Sequence, residues 1–67
     1  MAVAKVTEIS ASSTKGFDDA VRQGIERAGK TLHNMKKAWI NEQNVILNDS
    51  GIVEWHVNMR ITFILDD

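Results

Sequence analysis

Val53, Trp55, Val57, Met59, Ile61, Phe63 and Leu65 occupy every second position of one unbroken stretch, with Glu54, His56, Asn58, Arg60, Thr62 and Ile64 between them. Polarity therefore alternates with almost no error. A period of two sends the apolar set to one face of a sheet and the polar set to the other. The pattern predicts a long antiparallel strand with an unusually polar second face. In so short a chain, that face is where a ligand or a sister subunit would be met.

The rest of the pattern arranges elements around this strand. Val3 to Ile9 alternates and is rich in β-branched residues, which predicts a first strand, and Ala11-Ser12-Ser13-Thr14 breaks it. Ser13 is a candidate N-cap, because a serine hydroxyl accepts an orphan backbone N–H of the first helical turn. Phe17, Ala20, Val21, Gly24, Ile25, Ala28 and Leu32 then recur at intervals of three and four, with charged residues between them. This is the apolar stripe of an amphipathic helix. Gly24 in mid-stripe costs up to about 1 kcal/mol in helix propensity and lets the helix lie close to a strand. Asn34 is placed to end the helix in a left-handed conformation.

Met35 to Leu47 alternates less cleanly, with Ala38, Ile40 and Ile46 on one face and Lys37, Trp39, Asn41 and Gln43 on the other. Asn48-Asp49-Ser50-Gly51 is a turn between two alternating runs, hence a hairpin. The order is β-α-β-β, an α+β fold. The crossover makes the first two strands parallel, and the last strand fits between them, antiparallel to both. A lone helix covers one face of this three-stranded sheet. The other face must be solvated or filled by another copy.

Composition narrows the classes. The 67 residues form one domain, 1–67, whose core supplies only a few kcal/mol net. There is no cysteine, which removes disulfides, thiolate zinc sites and cysteine nucleophiles together. Self-association is the remaining common remedy, so a homo-oligomer is expected. Eight basic and nine acidic side chains leave a net charge of −1, with Lys36-Lys37 the single basic doublet and no field for nucleic acid. No apolar run approaches the roughly 20 residues of a membrane span. Met1 to Thr7 lacks the apolar core of a signal peptide, so the expected location is cytoplasmic.

Read in order, these segments resemble the dodecins, small β-α-β-β proteins that assemble into hollow spherical homododecamers. The resemblance is carried by Lys5-Val6-Thr7-Glu8, the serine-rich turn into Gly16-Phe17, and Asp19-Ala20-Val21. Gly24-Ile25, Arg27-Ala28 and Thr31-Leu32-His33-Asn34 continue it, as does Thr62-Phe63-Ile64-Leu65-Asp66. It covers nearly the whole chain, and the motifs are specific as a series rather than singly. The resemblance implies non-enzymatic binding of flavins (riboflavin, FMN or FAD) for storage or quenching. In that family, flavins stack in pairs on a tryptophan near the start of the second strand, and a glutamine on the third strand reads the isoalloxazine edge. Bacterial members often add arginines toward a flavin phosphate. Counted without gaps, the tryptophan position falls on Lys37, with Trp39 two residues later. The glutamine position falls on His56, and the arginine positions on Asn44 and Ile64. Each position carries a different residue.

The residues themselves give candidate roles. Trp39 shares a strand face with Lys37 and offers an indole for stacking or for packing between subunits. His56 has one donor and one acceptor when neutral, as a carboxamide has, and can read a heteroaromatic edge. Its bland alternative is a half-exposed histidine bonded within a polar strand face. Trp55 is expected beneath the helix with Phe17 and Phe63, and Arg60 in a polar ladder with Glu54 and Asn58. A zinc site needs more than His33 and His56, unless symmetry gathers copies of His56. Glu42, Asp49, Glu54, Asp66 and Asp67 show no calcium-loop spacing. No phosphate loop, nucleophile elbow or catalytic triad is present, and no enzyme is expected. The expected function is a hollow dodecamer binding a small planar ligand through Lys37, Trp39, Gln43 and His56. The alternative is a like assembly that has lost the flavin site and binds another small ligand, an ion or nothing.

Overall fold

In the computed structural model, which describes residues 3–65, the order is β1 (Ala4–Ser13), α1 (Phe17–Ala28), β2 (Met35–Asn48) and β3 (Gly51–Ile64). β3 lies between β1 and β2 and is antiparallel to both, so the two outer strands run parallel, as the connection requires. The described residues extend 52 × 19 × 13 Å. None of their helices is long and apolar enough to cross a membrane.

The alternation of β3 survives intact. Val57, Met59 and Ile61 are buried against α1, while Glu54, His56 and Asn58 point to the uncovered face. Met59 is fully enclosed and packs with Ala20 and Val57, ringed by Ile9, Ala11, Phe17, Val21 and Ile25. Truncating such a side chain costs about 2–5 kcal/mol. Gly24 sits where α1 crosses this centre: a Cβ there would lie 2.6 Å from Met59 Cε and 3.0 Å from Ala11 Cβ. The close approach expected of this glycine is therefore real.

Several local expectations give way to the geometry of β3. The serine-rich segment does not break β1, because β3 is long enough to offer partners as far as Ser13 opposite Trp55. Ser13 is not the N-cap. Gly16 takes that place without a side-chain bond, and buried Ser13 instead donates to Asp19 Oδ2 (2.5 Å) and accepts the Lys15 N–H (2.9 Å). Its hydroxyl thus fastens the end of β1 to the first turn of α1. The helix ends at Ala28 rather than near Asn34: Lys30 N–H bonds Arg27 O and Thr31 N–H bonds Ala28 O, three residues back instead of four, so the chain tightens off the α-helical ladder. Asn34 does adopt a left-handed conformation (φ 61°), but in the connection, where it turns the chain into β2.

Trp55 and Phe63 share the helix-side face yet stand eight residues apart on one strand, roughly 26 Å at 3.3 Å per residue. They cannot pack together. The hairpin is as expected: Asp49 and Ser50 form the turn, Asn48 Oδ1 accepts the Ser50 N–H (2.7 Å), and Gly51 takes φ +122°.

Candidate functional site

The uncovered face is assembled rung by rung from the register. On β3 it presents Glu54, His56, Asn58, Arg60 and Thr62, facing Ser12, Ser10, Glu8 and Val6 on β1 for the last four of these. On β2 the partners of Thr62, Arg60, Asn58 and His56 are Lys37, Trp39, Glu42 and Asn44. A register shift between Ile40 and Glu42 marks a bulge, which places two residues of one strand against one of its partner. Beyond it the side-chain alternation of β2 is inverted.

This inversion changes two expectations. Gln43 falls opposite Val57 and Val45 opposite Trp55, so both lie on the helix-side rungs, whereas Ile46 falls opposite Glu54 on the uncovered face. Lys37, Trp39 and His56 share the uncovered face; Gln43 does not. Trp39 is 67% exposed on the Arg60 rung, an amphipathic aromatic without cover within the chain. Four residues of β3 separate that rung from His56, roughly 13 Å. A ligand touching both must span that length or lie between copies.

Between them runs a hydrogen-bonded polar net. Asn41 Nδ2 donates to Asn58 Oδ1 (2.8 Å), and Asn58 Nδ2 donates to Ser10 Oγ (3.1 Å), tying all three strands together. Arg60 Nε lies 3.6 Å from Glu8 Oε1, both exposed, an ion pair worth at most about 1 kcal/mol. The expected ladder of Arg60 with Glu54 and Asn58 is thus rearranged: Arg60 reaches across to β1, and Glu54 stands by His56.

His56 Nε2 is buried and has no hydrogen-bond partner, with Glu54 Oε1 3.7 Å away. That separation is an ion pair only if the imidazole is protonated, and it is too long for a hydrogen bond. A buried polar atom left without a partner costs about 1–3 kcal/mol, so the site favours a group that bonds it. Beside it, Glu8, Ser10, Glu42, Asn44, His56 and Asn58 line an open concavity of about 290 Å³. This is at the low end of small-molecule pockets, enough for part of a ligand. The uncovered face thus carries an exposed indole and, roughly 13 Å along β3, a ring nitrogen without a partner.

The family model described as Dodecin matches residues 3–66. The chain belongs to the dodecin family. Its structure is similar to the dodecin from Streptomyces davaonensis, at 41% identity and TM-score 0.93, covering 98% of this chain and 97% of that one. It is also similar to an arginine-to-alanine variant of the Thermus thermophilus dodecin, at 25% identity and TM-score 0.95, with both chains covered in full. Among curated proteins it is similar to the calcium dodecin of Mycobacterium tuberculosis, 22% identical over 63 residues, 94% of this chain and 89% of that protein.

Within this dodecin-family chain, part of the polar face had a readable signal. Glu8, Ser10 and Ser12 alternate along β1 and could have been assigned to the uncovered face from period alone. Asn41 could not, because its reach to Asn58 depends on the bulge. His33 is exposed beyond the end of α1, and no group of three metal-ligating side chains occurs among the described residues. Asp66 and Asp67 lie outside the described residues.

Proposed function

We propose that this dodecin-family chain is a non-enzymatic binding protein whose copies form a hollow homododecamer. It holds a planar, flavin-type ligand against the uncovered sheet face. The observation that carries the reading is Trp39, two-thirds exposed on a well-paired strand of a face with no covering layer. Its indole stacks on the heterocycle, Lys37 two residues away contacts a polar edge, and His56 offers its unsatisfied nitrogen to a ring donor or acceptor. Gln43 reaches a ligand only from the helix side, so it contributes through a neighbouring copy or not at all.

A second reading is favoured by Glu8 and Glu42 in the concavity and by similarity to a protein named calcium dodecin. There the same shell binds an ion or another small ligand, and no flavin. Titrating riboflavin and FMN and following flavin emission separates the two. The first reading expects saturable quenching that Trp39→Ala abolishes and Trp39→Phe retains in part, with the native mass unchanged. Unquenched emission at saturating protein refutes it for flavins.

A further inference from the structure

Glu54 and His56 are two residues apart on β3, so both side chains stand on the uncovered face, roughly 7 Å apart at the backbone. His56 Nε2 has no hydrogen-bond partner and lies 3.7 Å from Glu54 Oε1. A hydrogen bond between them would need about 3.2 Å or less. Two ligands of one tetrahedral zinc ion, each about 2.0–2.2 Å from the metal, stand about 3.4 Å apart. The observed separation is therefore too long for a direct bond and close to that of two ligands bridged by one ion. Both side chains are partly exposed, at 39% and 42%, and free to make the small adjustment that bridging asks.

The surroundings favour a cation. Glu8 and Glu42 line the concavity beside His56, and Arg60 is already engaged by Glu8. Asn44, opposite His56 on β2, adds a carboxamide to the same concavity. Lys37 shares the face but pairs with Thr62, six residues along β3 from His56, roughly 20 Å away. The imidazole then selects among cations. Zinc, copper, nickel and iron accept a ring nitrogen, whereas calcium takes about six to eight oxygens. No third His, Asp or Glu completes the set among the described residues, so water fills the remaining positions.

We propose that His56 and Glu54 form a histidine–carboxylate chelate for a transition-metal dication of the zinc type, one per chain. The site goes beyond both readings above, because one strand supplies both ligands and neither flavin nor a second copy is needed. Where a heterocycle is also held, the ion competes with it for one nitrogen.

Zinc chloride is titrated calorimetrically into the full chain at pH 7.5, after chelator treatment and dialysis. Saturable binding of one ion per chain is expected, with a Kd in the micromolar range. Glu54→Gln and His56→Gln should each weaken it about tenfold or more, because each removes one of two protein ligands. His33→Gln, at the exposed histidine beyond α1, should leave it unchanged. A tenfold excess of calcium chloride should not shift the midpoint. Ring resonances of labelled histidine give an arm that needs no ligand substitution, and it decides even where a variant fails to fold. Zinc should move the His56 signals at the calorimetric midpoint and leave those of His33 in place. No saturable binding, binding that survives both ligand substitutions, displacement by calcium or an unmoved His56 ring overturns the proposal. None of these outcomes bears on flavin quenching, which is read separately.

Discussion

Gly24→Ala isolates the close approach on which the core is built. On an exposed helix face this change would stabilise by about 1 kcal/mol, because alanine is the better helix former. Here the new methyl arrives 2.6 Å from Met59 Cε and 3.0 Å from Ala11 Cβ, with Ile9 Cδ1 at 3.5 Å. The Met59 methyl ends a flexible side chain, but that side chain is fully enclosed and yields only by repacking its neighbours. The Ala11 Cβ is fixed to the backbone of β1 and moves only if the strand moves. Overpacking of this kind costs about 1–3 kcal/mol, more than the helix gains. The net expectation is a loss of about 1 kcal/mol, or a Tm lowered by about 4–8 °C for a domain this small. Thermal melts followed by circular dichroism should be run at one fixed protein concentration, since assembly shifts apparent stability by mass action. Gly24→Ala/Ala11→Gly removes the fixed obstacle and should cost less than the two single changes summed. A Gly24→Ala protein that melts higher than the parent would refute the packing argument.

Other outcomes follow from single features. The Asp19 carboxyl is held below the usual aspartate range, first by the Ser13 hydroxyl and then by the Gln23 amide; desolvation opposes this, and the Lys15 and Arg22 charges add smaller downward contributions. A depressed value contributes stability that is present above about pH 4 and lost as pH falls through the lower folded value. Asp19→Asn should flatten that acid limb in urea denaturation measured from pH 6 to 2, and an unchanged limb would contradict it. Gly51→Ala meets nothing within 4 Å, so its effect is confined to the φ of +122° and should be a loss of about 1–3 kcal/mol in the same assay. His56→Gln keeps a donor and an acceptor on a more flexible side chain and removes the unsatisfied ring nitrogen. It should weaken riboflavin binding several-fold by fluorescence titration, whereas unchanged or tighter binding would show that the imidazole makes no contact with the ligand.

How far the sequence is legible depends on where backbone regularity ends. β3 was readable throughout because its alternation runs without interruption, and it fixes the order β1-β3-β2 and the single covered face. β2 was readable as a strand but not face by face. The bulge between Ile40 and Glu42 leaves no compositional mark, yet it reverses Gln43 and Ile46. The serines of β1 look like a turn because Ser favours local backbone bonding, and it is pairing with β3 that overrides the preference. The apolar stripe continues through Leu32 and points to a later helix end, whereas the hydrogen bonds tighten to three-residue spacing at Lys30 and Thr31. In the candidate site, Trp39 and His56 stood out by residue type. The net through Asn41, Asn58 and Ser10 emerges only from register.

Sedimentation of the unmodified protein at micromolar dilution bears most directly on the claim that a half-covered sheet compels copies to close around it. A single well-folded species near twelve times the 7.5 kDa chain mass is expected. A folded, solitary 7.5 kDa particle would contradict it.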